Sequence, residues 1–142
     1  MEVIAALRTI SLTTDPKFTG PDDAARAARL AELAVTTSVL TDCGRLFFRN
    51  NRMTLHGRDK KSAYRGYRTV ILDQILIGHA VACAWGAADA ETRRKLHVVA
   101  DECTKEFVSL AQTEVGRSRT VSSVTKKGGT GVGLQALLDG VE

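Results

Sequence analysis

Arg45, Arg49, Arg52, Arg58, Lys60, Lys61, Arg65 and Arg68 place eight cations in one stretch of twenty-four residues, against a single carboxylate, Asp59. Six of the eight are arginines, whose planar fork grips a phosphate through two hydrogen bonds. Tyr64 and Tyr67 lie among them and would stack on bases if they pointed outward. His56 offers one further contact. The excess charge is local. Residues 41–70 carry +6, whereas residues 1–40, 71–110 and 111–142 carry −1, −2 and +1 in a chain of net +4. A cluster of this kind raises a positive potential that attracts polyanions. The same cations also have a plainer use. Arginine and lysine in the last turn of a helix favour the negative end of its dipole, and Lys60, Lys61, Arg65 and Arg68 would suit a solvated helix face.

Other candidate chemistry is thinner. Lys126–Gly133 reads KKGGTGVG, and its glycines would let backbone N–H groups approach a phosphate. It lacks the Gly-Lys-Ser/Thr ending that supplies the lysine and magnesium hydroxyl of a phosphate loop, so a flexible hinge or arm is the expectation. His79 and Cys83 are four apart, on one helical face, yet two ligands do not make a zinc site. His97 and Asp101 share that spacing and would orient an imidazole, although an ordinary surface pair is expected. There is no Glu-x-x-His pair of the di-iron kind. The cysteines Cys43, Cys83 and Cys103 have no Cys-x-x-Cys spacing and read as reduced, partly buried thiols. No catalytic residue, cofactor or metal is therefore expected.

The elements that would hold the basic stretch follow from periodicity. The chain is 44% hydrophobic with only 5% aromatic residues, and both prolines, Pro16 and Pro21, lie near the start. That composition points to an all-α fold. Residues 1–14 read as a short helix or an edge strand, with Thr9–Thr14 favouring extended chain. A first long helix is expected from Pro21, capped by Thr19 or Gly20, to about Phe48. A second starts at Asp59 or Lys60, with the seam Tyr64, Tyr67, Ile71, Ile75, Gly78, Ala82 and Trp85, and is apolar enough to be central. A third runs from a cap at Asp89 to Gly116 along Leu96, Val99, Cys103, Phe107 and Leu110. Each is about 26 residues, or roughly 40 Å.

The expected architecture is thus an elongated bundle of three long antiparallel helices over residues 1–116, with a short N-terminal element, followed by a flexible basic tail over 117–142. The tail ends in a short helical turn at Leu134, Leu137 and Leu138. Three helices cover one another incompletely, so the N-terminal segment or a neighbouring copy would supply a fourth wall. On the seam as read, Tyr64 and Tyr67 pack in the core, and with Phe47 and Phe48 they seal one end of the bundle. The eight cations gather at that end.

The apolar run Thr69–Trp85 is short for a membrane span and carries Asp73, Gln74 and His79, so a buried helix and no membrane partner are expected. Met1–Leu12 lacks a basic segment, so no secretory signal is expected. The location implied is cytoplasmic, intracellular or within a virion. The function these residues suggest is a non-enzymatic, homo-oligomeric RNA- or DNA-binding subunit, as in a viral nucleoprotein or an RNA-guided complex, neutralising phosphates with the eight cations. The alternative is a structural or adaptor protein acting through its helical faces.

Overall fold

The computed structural model describes residues 2–48, 50 and 58–114. The predicted tail, 117–142, with its basic and glycine-rich stretches, lies outside them. The described chain is all-helical, with four α-helices: α1 Glu2–Thr14, α2 Asp23–Phe47, α3 Val70–Ala84 and α4 Ala90–Glu114. Single 3-10 turns occupy Ser62–Tyr64 and Trp85–Ala87.

The N-terminal segment is a complete helix rather than an edge strand. Its threonines do not interrupt it because their hydroxyls donate back to carbonyls one turn earlier, Thr9 to Ala5 at 2.8 Å and Thr14 to Ile10 at 2.9 Å. Ala6, Leu7 and Ile10, spaced by one and three, then face the core and are fully covered. This helix is the fourth wall, so the bundle has four helices and not three.

The expected length of the second long helix is also corrected. It starts at Val70, ten residues later than Lys60, and so spans 15 residues. Gly66 sits at φ +83°, a left-handed conformation that an α-helix cannot include. The seam holds from Ile71 onward, through Ile75, Gly78, Ala82 and Trp85, all buried. Tyr64 and Tyr67 lie before it, 47% and 53% exposed, and do not pack in the core. Nor is α3 enclosed on all sides, since Val70 and Ile77 reach solvent.

The other two long helices lie close to their expected bounds. Asp22, rather than Thr19 or Gly20, caps α2 by accepting from the Ala25 N–H at 2.8 Å. Asp89 caps α4 through the Thr92 N–H at 2.7 Å, and those hydrogen bonds hold its carboxyl below the usual range. The α4 seam is rotated from the one read in the sequence. Ala100, Cys103, Thr104 and Phe107 are buried, whereas Val99 is exposed. Thr104 is accommodated because its hydroxyl donates to the Ala100 carbonyl at 2.7 Å.

Cross-helix contacts give the topology. Arg26 of α2 reaches the Thr13 carbonyl of α1, and Thr37 of α2 meets His79 of α3. Leu72 of α3 packs on Gly44 of α2. Gly78 of α3 faces Cys103 of α4, and Ser11 and Thr14 of α1 meet Asp101 and His97 of α4. Between α2 and α3, and between α1 and α4, rising numbers meet falling ones, so each of these pairs is antiparallel. The diagonal α1–α3 contact is at Gly78, where a Cβ would overlap the buried Leu7 side chain. Among the described residues, Val70–Ala87 is one stretch long and apolar enough to cross a membrane; here it packs between α2 and α4.

Two core clusters result. One, around Ile10, Leu30, Val81 and Trp85, lies near the start of α2. The other, around Leu7, Leu72, Ile75 and Phe107, lies near its end, with Phe48 packed against it. Phe48 therefore helps close that end, as expected of it. Phe47, 81% exposed, does not.

Candidate nucleic-acid interface

The end of α2 and the segment leading into α3 come together beside the second core cluster. Arg45 is in the last turn of α2. Its guanidinium pairs with Asp42 at 2.9 Å and lies 4.6 Å over the Tyr64 ring. Its side chain is only 14% exposed, and its Nε faces no acceptor among the described residues. The 3-10 turn that carries Tyr64 is closed by its N–H donating to the Lys61 carbonyl at 2.8 Å. Arg65 Nε donates to the Lys60 carbonyl at 2.8 Å, and Asn50 Nδ2 donates to the Arg65 carbonyl at 2.9 Å. These bonds fold residues 60–65 back toward the exit of α2. Gly66 then turns the chain, and Arg68 pairs with Asp73 in the first turn of α3 at 3.1 Å.

The result is a cleft of about 420 Å³ lined by Arg45, Asn50, Lys60, Lys61, Tyr64, Gly66, Tyr67, Arg68 and Asp73. Four of the eight predicted cations, Arg45, Lys60, Lys61 and Arg68, line it together. Arg65 braces the wall through the Lys60 carbonyl without lining it, and Arg58 is exposed elsewhere on the surface. Arg49, Arg52 and His56 lie outside the described residues. The four lining cations differ in what holds them. Arg45 and Arg68 each have a carboxylate, whereas Lys60 and Lys61 form no ion pair among the described residues.

Parts of this cleft are not legible in the sequence: Asn50 lies beyond the expected end of the first long helix, Asp73 reads as one polar residue in an apolar run, and Tyr64 and Tyr67 read as core. The signal in the sequence is Gly66. A glycine inside an otherwise periodic run marks a break in the helix as readily as a close approach.

The other candidates assemble differently. Cys83 Sγ lies 3.6 Å from His79 Nε2, and His79 Nδ1 faces the Ala34 carbonyl at 2.9 Å, which places the proton of the neutral ring on Nδ1 and leaves Nε2 as the acceptor. No group of three metal-ligating side chains occurs among the described residues. His97 turns its Nδ1 to the Ser11 carbonyl at 3.2 Å. Asp101 is engaged instead by Lys105 at 2.7 Å and Arg8 at 3.7 Å, and the Lys105 hydrogen bond above all holds its carboxyl below the usual range. The pair is therefore not arranged as an imidazole and its orienting carboxylate. Cys43 and Cys83 are exposed, not partly buried as expected; Cys103 is buried, and burial pushes its thiol up to about 11.

No family model, curated protein or solved structure matches the chain, so its own residues and geometry carry the functional argument.

Proposed function

We propose that the chain is a non-enzymatic nucleic-acid-binding subunit of an oligomeric nucleoprotein assembly. The observation that carries this reading is the cleft at the α2–α3 end, where Lys60 and Lys61, which form no ion pair among the described residues, stand beside two exposed tyrosines. Ammonium groups left unneutralised by the protein are those whose counterions a phosphate backbone can replace, the main source of sequence-independent affinity. Arg45 and Arg68 are held in place by Asp42 and Asp73, so they shape the cleft and reinforce its potential. Assembly is supported by the outer face of α2, where Val35, Val39 and Leu46 are exposed at spacings of four and seven that share one side of a helix, with exposed Phe47 flanking them.

That same apolar face favours a second reading, a structural or adaptor protein whose partner is another protein. A groove of about 490 Å³ beside it, lined by Val3, Leu40, Phe47, Phe48, Leu72 and Phe107 among others, is consistent with such a role. Purification with and without nuclease separates the two. A nucleoprotein subunit carries an absorbance excess at 260 nm that nuclease removes, and light scattering shows its assemblies shrinking with that treatment. A preparation free of nucleic acid, with a mass indifferent to nuclease, would favour the adaptor.

A further inference from the structure

The cleft is small, and its lining is mixed. Its volume of about 420 Å³ is of the size that encloses a small molecule. A duplex presents its phosphates on a convex surface and keeps its bases stacked inside, so only its backbone could touch the rim. A single strand can turn one base outward, and a cleft of this size matches one nucleotide. The lining points the same way. Lys60 and Lys61 supply cations for the phosphate, and Arg68, paired with Asp73, reinforces the potential. Tyr64 and Tyr67, about half exposed, supply aromatic surface for the base, with Arg45 fixing the Tyr64 ring from one side. Asp73 is the informative member. Its Oδ1 accepts from Arg68 Nε at 3.1 Å, so the pair offsets one cation for a bare phosphate or sulfate, while the second carboxylate oxygen can accept from the amino and imino groups of a base edge.

We infer that the cleft holds one unpaired nucleotide of a single strand, with the phosphate at Lys60 and Lys61 and the base against Tyr67. This rests on the nucleic-acid reading above and narrows it to single-stranded ligands. It also divides the work within the cleft. The lysines govern affinity and its salt dependence, and the aromatic ring governs discrimination against duplex.

Fluorescence anisotropy with a labelled single-stranded RNA, the matching single-stranded DNA and the duplex, at one fixed low salt concentration, tests the inference. The full chain is compared with Tyr67→Ala, Tyr67→Phe and the double variant Lys60→Ala/Lys61→Ala, with circular dichroism as a check on folding. Single strands are expected to bind at least about tenfold more tightly than duplex. Tyr67→Ala is expected to lower single-strand affinity about 5- to 150-fold, the range found for loss of one base-stacking contact, with duplex binding unchanged. Tyr67→Phe keeps the ring and should retain most of the affinity. The lysine variant should weaken single strands and duplex alike. Equal binding of single strand and duplex, or an equal loss of both in Tyr67→Ala, overturns the inference while leaving phosphate binding intact. No binding of any of the three ligands overturns the nucleic-acid reading and the inference with it.

Discussion

The two ends of the bundle use the same kind of side chain for opposite purposes. Where α2 begins and α3 ends, Arg26 and Arg93 lie over the fully buried Trp85 ring, 4.9 and 4.0 Å from its centroid. Their donors are taken up by the protein itself. Arg26 bonds the Thr13 and Asp15 carbonyls at 2.7 and 2.8 Å, at the C-terminal end of α1. Arg93 bonds the Trp85 and Gly86 carbonyls at 3.1 and 3.3 Å and pairs with Asp23 at 2.6 Å. These arginines act as caps, supplying donors to carbonyls at helix ends, where the Asp15 and Trp85 carbonyls also accept the Phe18 and Ala88 N–H groups at 3.1 and 3.2 Å. At the opposite end Lys60 and Lys61 have no such acceptors among the described residues, and the cations there line a cleft. The arginines are engaged at both ends, since Arg45, Arg65 and Arg68 bond Asp42, the Lys60 carbonyl and Asp73. What separates the ends is the two lysines, which form no ion pair among the described residues.

That contrast can be broken by substitution. Trp85→Ala should have the largest effect, costing about 3–5 kcal/mol as a buried aromatic is removed and both stacked arginines lose their platform. Urea denaturation reads it, and the folded fraction should bind oligonucleotides as the parent does. Arg93→Ala should cost about 1–3 kcal/mol, because it removes the cation stacked on Trp85 and takes the Arg93 donor from the Gly86 carbonyl and Asp23, while the Trp85 carbonyl keeps the Ala88 N–H. Oligonucleotide affinity should again be unchanged; a loss as large as that in the cleft variants would erase the distinction between the ends. Lys60→Ala/Lys61→Ala should have the reverse profile. Its stability should stay within about 0.5 kcal/mol of the parent. Its log–log dependence of affinity on salt should be shallower by about 1.4–1.8, the loss of two phosphate contacts.

The smallest effect concerns acid, and it belongs to neither end's arginines. The carboxyls of Asp89 and Asp101 both sit below the ordinary value of 3.8 in the folded chain. A depressed folded pKa contributes stability that is present above the unfolded value and lost as pH falls through the folded one. Unfolding midpoints measured from pH 5 downward should therefore decline below about pH 4. Asp89→Asn, which keeps a capping oxygen but cannot ionise, should make that decline shallower without affecting binding at neutral pH.

How much of this was legible in the sequence depends on how local each cause is. The bounds of α2 and α4 follow from aspartates at their first turns and from long apolar stripes, so they lie near where periodicity places them. The start of α3 does not, because Tyr64, Tyr67 and Ile71 are spaced by three and four and imitate a helical face across Gly66, whose positive φ ends the pattern. The helix over Glu2–Thr14 was ambiguous because threonine favours extended chain until its hydroxyl bonds back to the preceding turn, a gain that composition does not display. The cationic end was visible as a charge imbalance. The cleft was not, since Asn50, Gly66 and Asp73 meet Lys60 only after α2 and α3 have packed. Arg45 also changed role for a tertiary reason, namely a tyrosine ring and a neighbouring carboxylate that occupy much of its guanidinium.

The most direct measurement is the binding of the full chain to a short single-stranded RNA over a salt series. Dissociation constants in the micromolar range or tighter at low salt, weakening steeply and linearly on a log–log plot as salt rises, are the result predicted here. No detectable binding at low salt would contradict it, and would leave the exposed apolar face of α2 as the surface through which this bundle acts.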